Sequence, residues 1–205
     1  MLTLFLVQSP RKDCSLLLSK KRYNEIDQEV IFMFEECEIT TWPIDCFEIA
    51  RKLHYVLRPY SSLPLEGFID AMDFDVDGYS TVEMNPVTGM YEYVIYYNDT
   101  TGNECRMRWT ILHEIGHIYL GHHDNLIRNI DEEEAEANHF AKYAIAPNPL
   151  INITHCEDAI DIHNVFNVSM LASGYLYSSY QSWLHYGPRN YLPHEMHLLE
   201  LFNVA

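Results

Sequence analysis

Apolar residues along this chain fall first at helical spacing, then at strand spacing, then at helical spacing again. In 21–38 (KRYNEIDQEVIFMFEECE), Ile26, Val30, Phe34 and Cys37 recur at three- and four-residue steps, which predicts an amphipathic helix. Pro43 interrupts the chain. Asp45, with Glu48 three residues on, has the capping-box spacing that opens a second helix, running to about His54. Residues 55–60 read as a short strand ended at Pro59, and 64–72 as a short helix. Two segments rich in β-formers, 79–84 and 90–96, flank Asn85-Pro86-Val87-Thr88-Gly89 and predict a hairpin, although the second (MYEYVIYY) alternates imperfectly. Everything after Gly102 reads mainly as helix. The expected class is α+β: N-terminal helices and a small, mainly antiparallel β-sheet packed on a helical body.

Candidate chemistry sits where the helical period returns. From Glu104 the chain reads ECRMRWTILHEIGHIYLGHH, with Trp109, Leu112, Ile115 and Tyr119 on one stripe. His113 and His117 are four residues apart, which puts both imidazoles on one helix face within reach of one ion. Glu114 lies beside that face, placed to reach a water without ligating the metal; this is H-E-x-x-H.

A catalytic zinc needs a third protein ligand and one open position. His123 stands at the interval of the metzincin pattern, but Leu120 occupies the place where that pattern needs glycine to turn the chain back. Gly121 reads instead as the end of the helix. The other source is 131–147 (DEEEAEANHFAKYAIAP), a second helix capped by Asp131 and closed by Pro147. Its Ala135, Ala137 and Ala141 permit close approach of another helix, and one of its carboxylates would complete a His-His-Glu set. Asn138, one turn after Glu134, is placed to hydrogen-bond such a ligand.

Charge and cysteines narrow the function. Thirteen Lys and Arg stand against 30 Asp and Glu, a formal charge of -17 among 205 residues. So acidic a surface repels phosphate backbones and anionic membranes and attracts basic partners, which excludes direct nucleic-acid binding. Cys14, Cys37, Cys46, Cys105 and Cys156 are odd in number and show no metal or disulfide spacing, as expected in a reducing compartment. No apolar run approaches the ~18 residues of a membrane span. The opening MLTLFLV lacks a basic flank; it is a poor signal peptide, and equally a first strand or an upstream start.

Three features are read as structural. Asp73, Asp75, Asp77 and Gly78 match half of a calcium loop, but Met84 stands where its glutamate is due, so the segment is an aspartate-rich turn into a strand. The tail with His185, His194, Glu195 and His197 is expected to be a surface helix. The sequons at Asn98, Asn152 and Asn167 are short enough to arise by chance.

The HEIGH segment, followed at this distance by E-A-E-A-N-H-F-A-K-Y-A-I-A-P, resembles the ImmA/IrrE family of metallopeptidases. The second motif runs from Glu134 through Ala137, Asn138, Phe140 and Ala141 to Pro147. PIDCFEIARKL and YVIYYND upstream, and Phe166-Asn167-Val168-Ser169 downstream, are similar to softer parts of the family pattern, so the likeness covers roughly 21–175.

The resemblance implies a single metallopeptidase domain over 21–205 with residues 1–20 as an N-terminal extension. It implies Zn²⁺ on His113, His117 and Glu134, with Glu133 and Glu136 as fallbacks in a run of acids, and Glu114 as general base. It further implies a cytoplasmic endopeptidase that cleaves a basic helix-turn-helix repressor. The alternative is an antirepressor that sequesters its partner without proteolysis, with zinc in a structural role. The Ala144-Ile145-Ala146-Pro147 ending is smaller than the leucine-rich family version, and neither a DNA-binding nor a sensor segment is evident.

Overall fold

The computed structural model describes residues 18–124 and 129–204. The readings of MLTLFLV, of Cys14 and of most of the 1–20 extension lie outside these residues.

Helix α1 (Lys20–Glu36) begins where the Ser19 side chain accepts a bond from Arg22 N at 3.1 Å. Its stripe of Ile26, Val30 and Phe34, with Cys37 just beyond the end, is fully buried, as the period requires. Helix α2 (Cys46–Lys52) is capped by Asp45, whose Oδ1 accepts from Phe47 N and Glu48 N at 2.9 and 3.2 Å. Glu48 does not complete the reciprocal box; its carboxylate turns to Lys52 at 3.3 Å, one helical turn on.

Strand β1 (Val56–Pro59), a one-turn 3₁₀ segment (Tyr60–Ser62) and helix α3 (Leu65–Phe74) lead into the hairpin of β2 (Gly78–Met84) and β3 (Tyr91–Tyr97). The sheet order is β1-β3-β2. β2 pairs antiparallel with β3 from Gly78↔Tyr97 to Met84↔Tyr91, and β1 pairs with β3 in parallel from Val56↔Val94 to Pro59↔Tyr97. A parallel neighbour needs a crossover, here supplied by α3 and β2. The imperfect alternation of β3 now has a cause. As the central strand it is buried on both faces: Ile95 and Tyr97 face the main core, while Val94 and Tyr96 join a smaller cluster with Tyr60 and Ala71.

The turn before β2 is built by its aspartates. Asp75 Oδ1 accepts from Asp77 N and Gly78 N at 2.7 and 3.1 Å, and the Asp77 carboxylate takes a two-pronged bond from Arg106. Two of the sequon asparagines are likewise engaged internally: Asn98 Nδ2 donates to Val76 O at 2.8 Å and Asn152 Nδ2 to Tyr191 Oη at 2.6 Å.

Helix α4 (Glu104–Tyr119) starts at Asn103, whose side chain accepts from Arg106 N. Helix α5 (Ile130–Ile145) starts at Asn129, not at Asp131. The expected cap is therefore displaced: Asp131 sits inside the first turn with Glu132 and Glu133, where the positive end of the helix dipole favours acids. The two helices approach closely because Gly116 faces Phe140; a Cβ at Gly116 would lie 3.0 Å from that ring. On α5, Ala137, Ala141 and Ala144 are fully buried, and Ala135 is half-buried. Asp27 on α1 lies 2.7 Å from His139 Nε2, so α1 docks on the far side of α5.

Helices α6 (Asn148–Ile153), α7 (Ala159–Phe166), α8 (Met170–Tyr186) and α9 (Pro193–Leu201) complete the body. Buried Arg108 ties α4 into it through bonds to Ile44 O, Phe166 O and Asn167 O. The tail helix corrects the surface reading. In α9, Leu198 and Leu199 enter the core, and buried Glu195 accepts from Trp183 Nε1 and Leu192 N, both at 2.7 Å. Among the described residues no helix is long and apolar enough to cross a membrane.

Candidate metal centre

Helix α4 presents His113, Glu114 and His117 in its most buried stretch, each no more than 2% exposed. The helix ends just beyond them in a Schellman turn. Gly121, at φ +74°, donates to Ile118 O, and His122 N donates to His117 O, both at 3.0 Å. No side chain is needed at Gly121, and the backbone conformation there favours glycine.

Opposite, α5 contributes Glu134. His113 Nε2 and His117 Nε2 are 3.0 Å apart, and Glu134 offers Oε2 to the first at 3.4 Å and Oε1 to the second at 3.3 Å. Among the described residues these three form the one group of His, Cys, Asp and Glu donors close enough to share an ion. Tetrahedral zinc, with bonds of about 2.0–2.1 Å, sets its donors about 3.3–3.4 Å apart. The imidazole nitrogens at 3.0 Å and the carboxylate oxygens at 3.3 and 3.4 Å come close to that spacing, so the residues fit the ion.

Their electrostatics fit as well. Burial pushes the His117 imidazole towards its neutral form. Burial also raises the Glu134 carboxyl, but hydrogen bonds and charge from His113 and His117 outweigh it and hold the group well below the usual carboxylate range. A neutral imidazole and an ionised carboxylate are the protonation states a divalent metal requires.

The other candidates fall elsewhere. His123 is outside the donor group: its Nε2 lies 2.9 Å from Ser80 Oγ on β2. Leu120 is the helix cap residue rather than a turn back to the metal, which is why the metzincin interval fails here. Ser80 also donates to Glu114 Oε2 at 2.8 Å. A hydroxyl has one proton, so Ser80 accepts from His123 while it donates to Glu114. Glu133 is buried on α5 but is not part of the triangle. Asn138, expected to bond the glutamate from one turn on, is half-buried and makes no side-chain hydrogen bond among the described residues.

His122, Glu136 and Arg22, to which the sequence reading gave no supporting role, bond to one another beside the site instead. His122 Nδ1 lies 2.9 Å from His117 Nδ1, and its Nε2 lies 3.1 Å from Glu136 Oε2. Glu136, a fallback ligand in the sequence, is held by Arg22 of α1, with Nε 2.5 Å from Oε1 and Nη2 2.7 Å from Oε2. The only sequence hint was a helix-ending glycine followed at once by histidine. Ser80 had no signal at all, because its role depends on how β2 lies across α4.

The comparison with known proteins agrees with this geometry. The family described as the IrrE N-terminal-like domain, peptidase M78, matches residues 67–175, from α3 into α8 and including the whole donor triangle. No curated protein is similar enough to match the chain. With more than half of its length covered by that match, the chain belongs to the ImmA/IrrE family of metallopeptidases.

Proposed function

We propose that this protein is a zinc-dependent endopeptidase with His113, His117 and Glu134 as the metal ligands and Glu114 as the general base. The observation that carries the reading is the three-donor triangle with the buried Glu114 carboxylate next to it on the same helix. When bound, zinc supplies Lewis-acid polarisation of the scissile carbonyl and makes water easier to deprotonate. Glu114 takes the proton of the attacking water and returns it to the leaving amine. Ser80 fixes the rotamer of that carboxylate through its 2.8 Å bond.

The setting suits an extended peptide. β2 is one of the two edge strands among the described residues, it carries Ser80 beside Glu114, and an edge strand accepts a peptide by backbone pairing. Three protein donors leave one position open, whereas a structural zinc is closed by a fourth ligand, typically cysteine. That weighs against the sequestering alternative.

The substrate class we favour is a basic helix-turn-helix repressor in the cytoplasm. A charge of -17 suits a basic partner, and free thiols at Cys37, Cys46, Cys105 and Cys156 suit a reducing compartment. The test pairs wild type with Glu114→Gln against labelled casein and a panel of basic helix-turn-helix proteins. Cleavage by wild type alone, with zinc kept in both, supports the reading. Undiminished cleavage by Glu114→Gln overturns the base assignment, and metal-independent loss of repressor function without cleavage overturns the peptidase.

A further inference from the structure

We infer that His122, Glu136 and Arg22 act together as a positioning relay that fixes the tautomer and orientation of His117 and so sets metal affinity. The inference rests on His117 being a ligand, and it assigns work to residues that touch neither metal nor substrate.

Each link of the chain has only one workable polarity. As a metal ligand through the Nε2 that faces the His113–Glu134 group, His117 must carry a lone pair on that nitrogen and its proton on Nδ1. The Nδ1 proton then points at His122 Nδ1, 2.9 Å away, which has to accept it. A neutral His122 that accepts on Nδ1 holds its proton on Nε2 and donates it to Glu136 Oε2 at 3.1 Å. Glu136 stays ionised because Arg22 grips both of its oxygens. The bonds thus run in one consistent direction from the arginine inward, and they support the His117 tautomer that binds metal.

The placement is built as firmly as the bonding. His122 is 2% exposed and Glu136 6% exposed, so water does not compete for these bonds. The Schellman turn ties His122 N to His117 O, and the side chains then meet through their rings at a centroid distance of 5.0 Å. One residue pair is therefore locked twice, once by backbone and once by imidazole. A metal-bound histidine usually leans on a carboxylate directly. Here a second imidazole is inserted, which lets the supporting carboxylate sit on α5 two residues beyond Glu134 and be reached from α1. Arg22 precedes the family match at 67–175, so α1 belongs functionally to the metal centre.

Zinc affinity of the purified full-length chain, read by competition with a chromogenic chelator and by the visible spectrum of the cobalt(II) form, tests the relay. His122→Phe keeps a ring and loses both bonds; its zinc affinity should fall about 10–100-fold with an altered cobalt spectrum. His122→Gln can accept with its amide oxygen and donate with its nitrogen, so it should recover most of that loss. Glu136→Gln and Arg22→Met should each weaken binding in the same direction. The His122→Phe/Glu136→Gln double variant should be no worse than His122→Phe alone, because the links act in series.

Circular dichroism and melting of the metal-free proteins separate misfolding from loss of positioning. If His122→Phe does not fold, half-exposed Arg22→Met decides the matter. Wild-type affinity in the folded variants, or fully additive losses in the double variant, would overturn the relay while leaving the ligand set standing. A wild type that binds no zinc would overturn both, and a His113→Ala control that still binds would overturn the ligand set on which the relay depends.

Discussion

Two acid-rich stretches, Asp73-Phe74-Asp75-Val76-Asp77 and Asp131-Glu132-Glu133-Glu134-Ala135-Glu136, look alike as sequence and end up with opposite work. The first faces its own backbone and one surface arginine: Asp75 builds a turn and Asp77 pairs with Arg106. The second begins as an exposed first helical turn and becomes, three residues on, part of a buried polar cluster. Glu134 meets two imidazoles, and Glu136 meets an imidazole and an arginine. What separates them is not charge density. A carboxylate becomes chemically special when burial removes its water and fixed donors replace it. On α5 the helical period selects which acids meet buried imidazoles, whereas in the turn Asp73 is exposed and the partly buried Asp75 and Asp77 meet backbone and one arginine.

The contrast should break most visibly at the metal. Glu134→Ala is expected to abolish both zinc content and peptidase activity, while Asp75→Ala keeps one zinc per chain by elemental analysis. Equal zinc content in the two would erase the distinction. Next in size, Glu114→Gln should retain its metal yet lose about 10²–10⁴-fold in kcat, since it removes the base and not a ligand. Ser80→Ala leaves the carboxylate in place but removes one of its donors, a bond to a charged group worth about 1.5–3 kcal/mol. Its kcat should fall roughly tenfold or more with zinc affinity unchanged; a change in affinity alone would place Ser80 in the ligand shell instead.

A pH experiment sharpens the comparison without touching the ligands. Burial raises the Glu136 carboxyl, but Arg22 and His122 outweigh burial and hold it down at about 2, against an ordinary 4.5. A depressed carboxyl stabilises the fold fully above its ordinary value and loses that contribution as pH falls towards its folded value. Between about pH 5 and about pH 2, metal-free wild type should therefore lose more stability than Glu136→Gln, measured by denaturant midpoints. Parallel curves would mean that the Arg22–Glu136 pair adds nothing. The smallest effect belongs to the aspartate turn's ion pair: Asp77→Asn should shift unfolding by about 1 kcal/mol, as for a pair whose arginine is exposed to solvent.

How far the sequence went can be judged residue by residue. Regular periodicity was readable because it reports burial directly: the Ile26–Val30–Phe34 stripe, the β2–β3 hairpin and the α4 face all emerge at the expected places. His113 and His117 are also local facts, since one turn of helix alone puts them side by side. Reasoning from one helix failed where a second element decided the outcome. Nothing within α5 tells Glu134 from Glu133 or Glu136; the choice follows from the crossing of α4 and α5 through Gly116 and Phe140. Asn138, expected to bond the glutamate, makes no side-chain hydrogen bond among the described residues, while His122, Glu136, Arg22 and Ser80 bond to site residues or to one another across separations no local pattern encodes. Even the cap of α5 moved from Asp131 to Asn129, because acids stabilise a first turn as well as a cap.

By itself the sequence determined the α+β class, the helix that carries the HEIGH segment and the family. These rest on short-range spacing, which backbone geometry converts into side-chain direction without help from the rest of the chain. Only the tertiary structure decided which carboxylate completes the donor triangle, which residue faces the Glu114 carboxylate and how an arginine of α1 reaches a histidine pair on α4. Those are meetings of elements distant in sequence, and they are selected by how closely packed helices can approach and by which buried polar groups then find partners.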